Sequence, residues 1–234
     1  MLKGPVLREA AEKKRYEDLL FGPPPFFACL YGSKHSGKSV IIKHTAYSYT
    51  HVVPSFHKVV IISGTLFNSS YDWCPEKWRH DEYRPQIVEE LMDEGKRHRE
   101  KGRPYHVLLV LDDILGVIDF RKPEKHKELV RLFSGNRHYM ISILLATQTP
   151  RAVTPLIRQN VDFAVFLRSL QSAMDVLSEE YSDRDKKEFA RLLMEGTTNY
   201  QFLLWSAREQ GANRVNGPLQ IPKTFLEKEF VLKG

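Results

Sequence analysis

Cysteine is scarce: Cys29 and Cys74 are the only two in 234 residues. They lie too far apart for a disulfide framework, and the count fits a reducing compartment. No apolar run approaches the ~20 residues that span a bilayer, so no membrane partner is expected. The stretch Met1 to Arg15 mixes charge with alanine and lacks the apolar core of a secretion signal. Internal repeats and low-complexity linkers are missing as well. What the chain has in excess is positive charge, with 35 Lys and Arg against 29 Asp and Glu. The resulting pI of 9.2 suits a polyanionic partner without demanding one. With 42% apolar and 27% charged residues, the composition is that of an ordinary soluble, intracellular globular protein. This length holds one sizeable α/β domain but not two full ones.

The pattern along the chain alternates strand and helix. Val6 to Leu20 carries apolar residues at helical spacing and predicts an amphipathic arm over 1–22, ended by Gly22 and Pro23 to Pro25. A single domain is expected over 23–234. Apolar or β-branched runs predict strands at Phe26–Tyr31, Lys58–Ser63, Val107–Leu111, Met140–Thr147 and Phe163–Leu167. Helical patterns fall at Lys38–Tyr49, Pro85–Glu100 and Glu124–Phe133. Between them, 64–83 is aperiodic and rich in aromatics, which reads as an irregular insertion. An extension over 183–234 contains a helix at Asp183–Glu195 and a last strand at Tyr200–Ser206. Such alternation favours a mostly parallel sheet with helices on both faces, because parallel neighbours need crossover connections.

Gly32, Ser33, Lys34, His35, Ser36, Gly37, Lys38 and Ser39 form a complete Walker A motif between a strand and a helix. Glycines let the backbone fold around phosphates with its N–H groups inward, and the helix that follows adds its positive dipole end. Lys38 is placed to reach the β and γ phosphates of ATP, and the Ser39 hydroxyl to ligate Mg²⁺. Leu108 to Leu111 followed by Asp112 and Asp113 makes the Walker B arrangement. Asp112 would hold hydrated Mg²⁺, and Asp113 would orient and deprotonate the attacking water. A kinase transfers phosphate to a substrate hydroxyl and needs no base for water, so the second carboxylate indicates hydrolysis. It also implies an extra strand between the two Walker strands, a role that Ile141–Leu145 fits. The expected class is therefore α/β, a three-layer P-loop NTPase of the additional-strand (ASCE, RecA-like) type with a mostly parallel central sheet. Gln148, at the polar tip of that extra strand, could sense the γ phosphate through its amide.

The run Gly135, Asn136, Arg137, His138, then Ile141–Leu145, then Ala146, Thr147, Gln148, Thr149 and Pro150 resembles the fourth-strand signature of the FtsK and HerA superfamily. With its compact chain and short arm, the sequence is most similar to the genome-packaging ATPases of large nucleocytoplasmic DNA viruses and their virophages. The likeness covers about Phe26 to Leu167. It implies a DNA translocase acting on double-stranded DNA as a homo-oligomeric ring, a pentamer or hexamer, docked on a capsid or portal-vertex protein. The implied location is the viral assembly site in the host cytoplasm, with the virion as a second place. It also implies an arginine reaching into the neighbouring subunit's site, with Arg137 the first choice and Arg131 and Arg158 its rivals. One departure is Asp113, where the family usually has glutamate.

DNA contacts are not fixed by these motifs. Lys96, Arg97, His98, Arg99, Lys101 and Arg103 form a basic cluster that reads as a solvated helix end or a nucleic-acid contact. Tyr71, Trp73, Trp78 and Arg79 either pack under the insertion or track a strand. Cys74, His80 and Asp81 match no paired-ligand zinc spacing. A cellular FtsK/HerA-type translocase and a nucleotide-dependent assembly scaffold with little turnover stand as alternative functions, and a nucleoside kinase would need a lid for which no arginine-rich signature is seen.

Overall fold

The structure, a computed structural model, describes residues 19–103, 105–114, 118–120, 122–182, 185–209, 215–220 and 231–232. The amphipathic arm expected over 1–22 lies almost wholly outside them. Strand β1 (Phe27–Tyr31) is followed by helix α1 (Lys38–Tyr47), β2 (Phe56–Ser63), the two-residue β3 (Arg79–His80) and α2 (Pro85–Glu100). Then come β4 (His106–Asp112), α3 (Lys127–Gly135), β5 (Ile141–Thr147), the single turn α4 (Pro155–Arg158) and β6 (Phe163–Phe166). Helices α5 (Gln171–Tyr181) and α6 (Lys186–Gly196) precede β7 (Gln201–Ser206) and β8 (Val215–Gln220).

These strands form one sheet in the order β3-β2-β4-β5-β1-β6-β7-β8. β5 pairs in parallel with β1 on one side and β4 on the other, so the extra strand stands between the Walker strands. From β3 to β6 every pairing is parallel, and β7 and β8 continue the sheet antiparallel. Period-two alternation divides each central strand between two cores. Phe27, Cys29, Tyr31, Leu109, Leu111, Ile143 and Leu145 face α2 to α6. Ala28, Leu30, Leu108, Val110, Leu144 and Ala146 face α1. Burial on both faces is why these strands read as unbroken apolar runs.

Several boundaries move. The first helix changes to a π turn over Ser48–Val52, and α3 begins three residues after the expected Glu124, behind a short 3₁₀ turn at Pro123–Lys125. Helix α5 and strand β8 were not foreseen. The insertion is not a surface loop throughout: Tyr71, Trp73 and Cys74 are buried and complete the core on the α1 face, where no second long helix packs among the described residues. Among the described residues no helix is long and apolar enough to cross a membrane.

Candidate functional site at the carboxyl ends of the strands

β1 ends at Tyr31, and the chain turns at once into the glycine loop. Gly32 N–H donates to the Thr147 carbonyl at 3.2 Å and Ser33 N–H to that of Arg168 at 2.9 Å, which hangs the loop from β5 and the segment after β6. Gly32 has to be glycine, because a Cβ there would lie 2.4 Å from the Ser36 hydroxyl and 2.8 Å from Leu167. His35 (φ 59°) and Gly37 (φ 106°) adopt left-handed conformations that turn the backbone back on itself. Val40 and Ile41 N–H groups then donate to Gly37 O, opening α1. Lys34 and His35 are exposed, whereas Ser36 is buried and its hydroxyl has no hydrogen-bond partner in the protein.

Lys38 Nζ donates to Gly32 O at 2.7 Å and Ser33 O at 2.9 Å, so the ammonium is held over the loop. Burial pushes its pKa below the usual lysine range, opposed by the Asp112 and Asp113 carboxylates. Asp112, the last residue of β4, is buried, and burial raises its pKa. The Tyr71 hydrogen bond and the Lys38 charge act in the other direction. Asp113 is exposed with a φ of 56°, and its N–H donates to Ala146 O at 3.1 Å. This left-handed turn sends its side chain toward the tip of β5, where Gln148 Nε2 donates to Asp113 Oδ2 at 3.4 Å.

One edge thus gathers a backbone cradle with an unpaired buried hydroxyl, a lysine, a buried carboxylate and an exposed carboxylate beside an amide. A loop of inward N–H groups with a lysine fits an oligophosphate. Ser39 and Asp112 offer the oxygen donors that a hard divalent cation takes. The donor set therefore fits ATP with Mg²⁺.

The three arginines fare differently. Arg137 lies in the 3₁₀ turn Asn136–Tyr139, before β5. The seven residues of β5, at about 3.3 Å each, place it roughly 23 Å from the cradle of its own chain. It is 66% exposed and its Nη2 meets Asp162 Oδ1 at 2.6 Å. Arg131 donates from Nε to the Tyr139 hydroxyl at 3.0 Å and lies over that ring. Arg158 is a poor candidate to leave its own chain: it is 14% exposed, bound to Glu180 at 2.8 Å and to the Val153 carbonyl.

Of the other candidates, two aromatics are packed while the basic run stays largely exposed. Tyr71 and Trp73 are buried, and Arg79 pairs with Asp72 at 2.5 Å, which leaves neither ring free to track a nucleic-acid strand. In the basic run at the end of α2, Lys96 faces Asp93 at 3.5 Å and Arg99 reaches His138 at 3.3 Å. Cys74 gives its thiol to Val59 O, and burial pushes its pKa to about 12, unlike a metal thiolate. Among the described residues no cluster of three or more His, Cys, Asp and Glu side chains is placed to hold a metal ion. Tyr71, expected from the sequence either to pack under the insertion or to track a strand, is instead a neighbour of the site: it donates to Asp112 Oδ2 at 2.7 Å from 41 positions away.

Known proteins share this fold. The genome packaging NTPase B204 from Sulfolobus turreted icosahedral virus 2, solved with AMPPCP, superimposes with a TM-score of 0.60 at 19% identity, over 83% of this chain and 97% of that one. ATPases 2 and 3 of EssC from Geobacillus thermodenitrificans give 0.55 at 14% identity, over 78% of this chain and 38% of theirs. At such identities the likeness is one of fold, the P-loop NTPase α/β sheet. In sequence, the uncharacterized protein L437 of Acanthamoeba polyphaga mimivirus is 28% identical over 143 residues, 57% of this chain and 49% of that protein. Protein 015R of Frog virus 3 is 31% identical over 140 residues, 58% of this chain and 41% of that protein. The chain spans about half the length of these curated relatives. A family model described as Poxvirus A32 protein matches residues 13–199, most of the sequence, and the chain belongs to that family.

Proposed function

We propose that this protein is an ATP-hydrolysing subunit of a ring that moves double-stranded DNA into a viral capsid. The observation that carries this reading is the convergence, at one sheet edge, of the Gly32–Ser39 cradle, buried Asp112 and the Asp113–Gln148 pair. A virus packaging NTPase of the same fold with bound AMPPCP supports it, as does membership of the A32 family.

Backbone N–H groups of the cradle hold the β and γ phosphates, and Lys38 exchanges its two carbonyl partners for phosphate oxygens. Mg²⁺, held by Ser39 and through water by Asp112, would neutralise charge on those phosphates. Asp113, exposed at the mouth, takes the proton of the attacking water. Gln148, already on Asp113 Oδ2, orients that water through its amide. Arg137 reaches the cradle of the next subunit, because its own cradle is a strand length away and its exposed guanidinium rests on Asp162. The excess of positive charge suits the DNA backbone. A pentameric or hexameric ring and a capsid or portal-vertex protein complete the proposed assembly.

The test is ATP turnover by the purified protein with and without duplex DNA over a salt series. DNA should stimulate turnover, and the stimulation should fall as salt rises. Unchanged turnover with DNA would remove it as the substrate. Lys38→Ala should abolish nucleotide binding or turnover, and a wild-type protein with no affinity for magnesium nucleotide would sink the whole reading.

A further inference from the structure

The insertion between β2 and β3 sends Tyr71 into the core at 1% exposure. A buried aromatic in a loop often serves packing alone, and its hydroxyl then finds whatever partner lies near. Here the partner is Asp112, 2.7 Å from the phenol oxygen. The phenol is the donor in that bond. That hydroxyl therefore touches one of the two residues assigned above to the divalent cation. The phenol is itself clamped. Cys74 N–H donates to Tyr71 O at 2.9 Å, Trp73 Nε1 to Ser70 O at 3.0 Å, and Leu232 N–H to Trp73 O at 2.8 Å. The phenol is thus fixed by a segment pinned at several points.

We infer that Tyr71 is a positioning residue for the cation site, its hydroxyl orienting the Asp112 carboxylate, so that cation affinity depends on the insertion. A carboxylate oxygen committed to a phenol leaves the other oxygen and a fixed plane for the hydrated ion, the way outer-shell donors tune metal ligands. This assignment rests on the reading of the cradle as a magnesium–ATP site.

Tyr71→Phe keeps the ring and removes the hydroxyl. Binding of a fluorescent ATP analogue would be measured in EDTA and across a Mg²⁺ series, with thermal melting of the metal-free protein alongside. The expected result is Mg-free nucleotide affinity within about twofold of wild type and a Mg²⁺ half-point raised roughly tenfold. Trp73→Phe is the control for packing, since Trp73 lies 6.2 Å from the Tyr71 ring, centroid to centroid, and its indole donates to Ser70 O rather than to Asp112. It should lower the melting temperature and leave the Mg²⁺ half-point in place. An unchanged half-point in Tyr71→Phe overturns the assignment. So does an equal shift in Trp73→Phe, or equal weakening with and without Mg²⁺. Failure of the wild-type protein to bind nucleotide under any condition would instead strike the underlying site reading, and this assignment with it.

Discussion

The two ends of the parallel strands are built on opposite plans. At the carboxyl ends, polar groups are left open: the Ser36 hydroxyl is buried without a partner, and Asp113 and Gln148 are exposed. At the amino ends, charge is closed upon itself. Asp162 is only 7% exposed, yet Oδ2 accepts the Phe27 N–H at 2.9 Å while Oδ1 takes Arg137 at 2.6 Å and faces Arg208 at 3.6 Å. An unfinished end invites a ligand, and a finished one stabilises the fold. Arg137 belongs to both descriptions, because it completes the Asp162 clasp with most of its surface still in solvent.

That double membership gives the sharpest test. In trans, an arginine at the transferring phosphoryl group contributes about 10³–10⁵ in rate. In the ion pair its guanidinium is mostly in solvent, and the buried Asp162 keeps the Phe27 N–H and faces Arg208 when Arg137 is removed, so the fold loses on the order of 1 kcal/mol. Arg137→Ala should therefore cut turnover by at least ~10³ with the melting temperature little changed. Mixing it with Lys38→Ala subunits should restore part of the turnover, since the second variant's arginine can serve the first one's intact cradle. Full activity in Arg137→Ala would reduce the residue to a clasp and leave the ring's arginine to be found elsewhere.

At the open end, Asp113→Asn keeps the shape and the hydrogen bond to Gln148 but cannot take a proton. Turnover should fall by about 10²–10⁴, while nucleotide binding, measured by fluorescence, stays near wild type. Equal turnover would mean that some other group accepts the proton.

How far sequence reaches can be seen in the same two places. The five long central strands were legible because burial on both faces writes an unbroken apolar run into contiguous residues, as at Val59–Ile62 and Leu108–Leu111. The additional strand followed from chemistry, since adjacent Asp112 and Asp113 imply water attack and a sheet with β5 between β1 and β4. Helix α5 escaped although its buried Met174, Leu177 and Tyr181 stand at helical spacing, for no glycine or proline marks its ends. The pairing of Arg158 with Glu180 and of Tyr71 with Asp112 joins positions 22 and 41 apart, and no local period encodes such contacts. Left-handed Asp113 was equally hidden, although that turn is what brings its carboxylate to Gln148.

The smallest expected effect separates the clasp from the finger. Asp162→Asn retains an oxygen for the Phe27 N–H and loses the charge that holds Arg137, whereas Asp162→Ala loses both. The buried N–H left without an acceptor costs about 1–3 kcal/mol, so Asp162→Ala should be the less stable of the two by that amount in denaturant titration. Turnover should not follow that difference in stability. If Asp162 aims Arg137 toward a neighbour, both variants should lose turnover alike, by a fewfold, because both free the guanidinium. A loss seen only in Asp162→Ala would track stability instead, and would show that the amino end supports β1 without taking part in the chemistry next door.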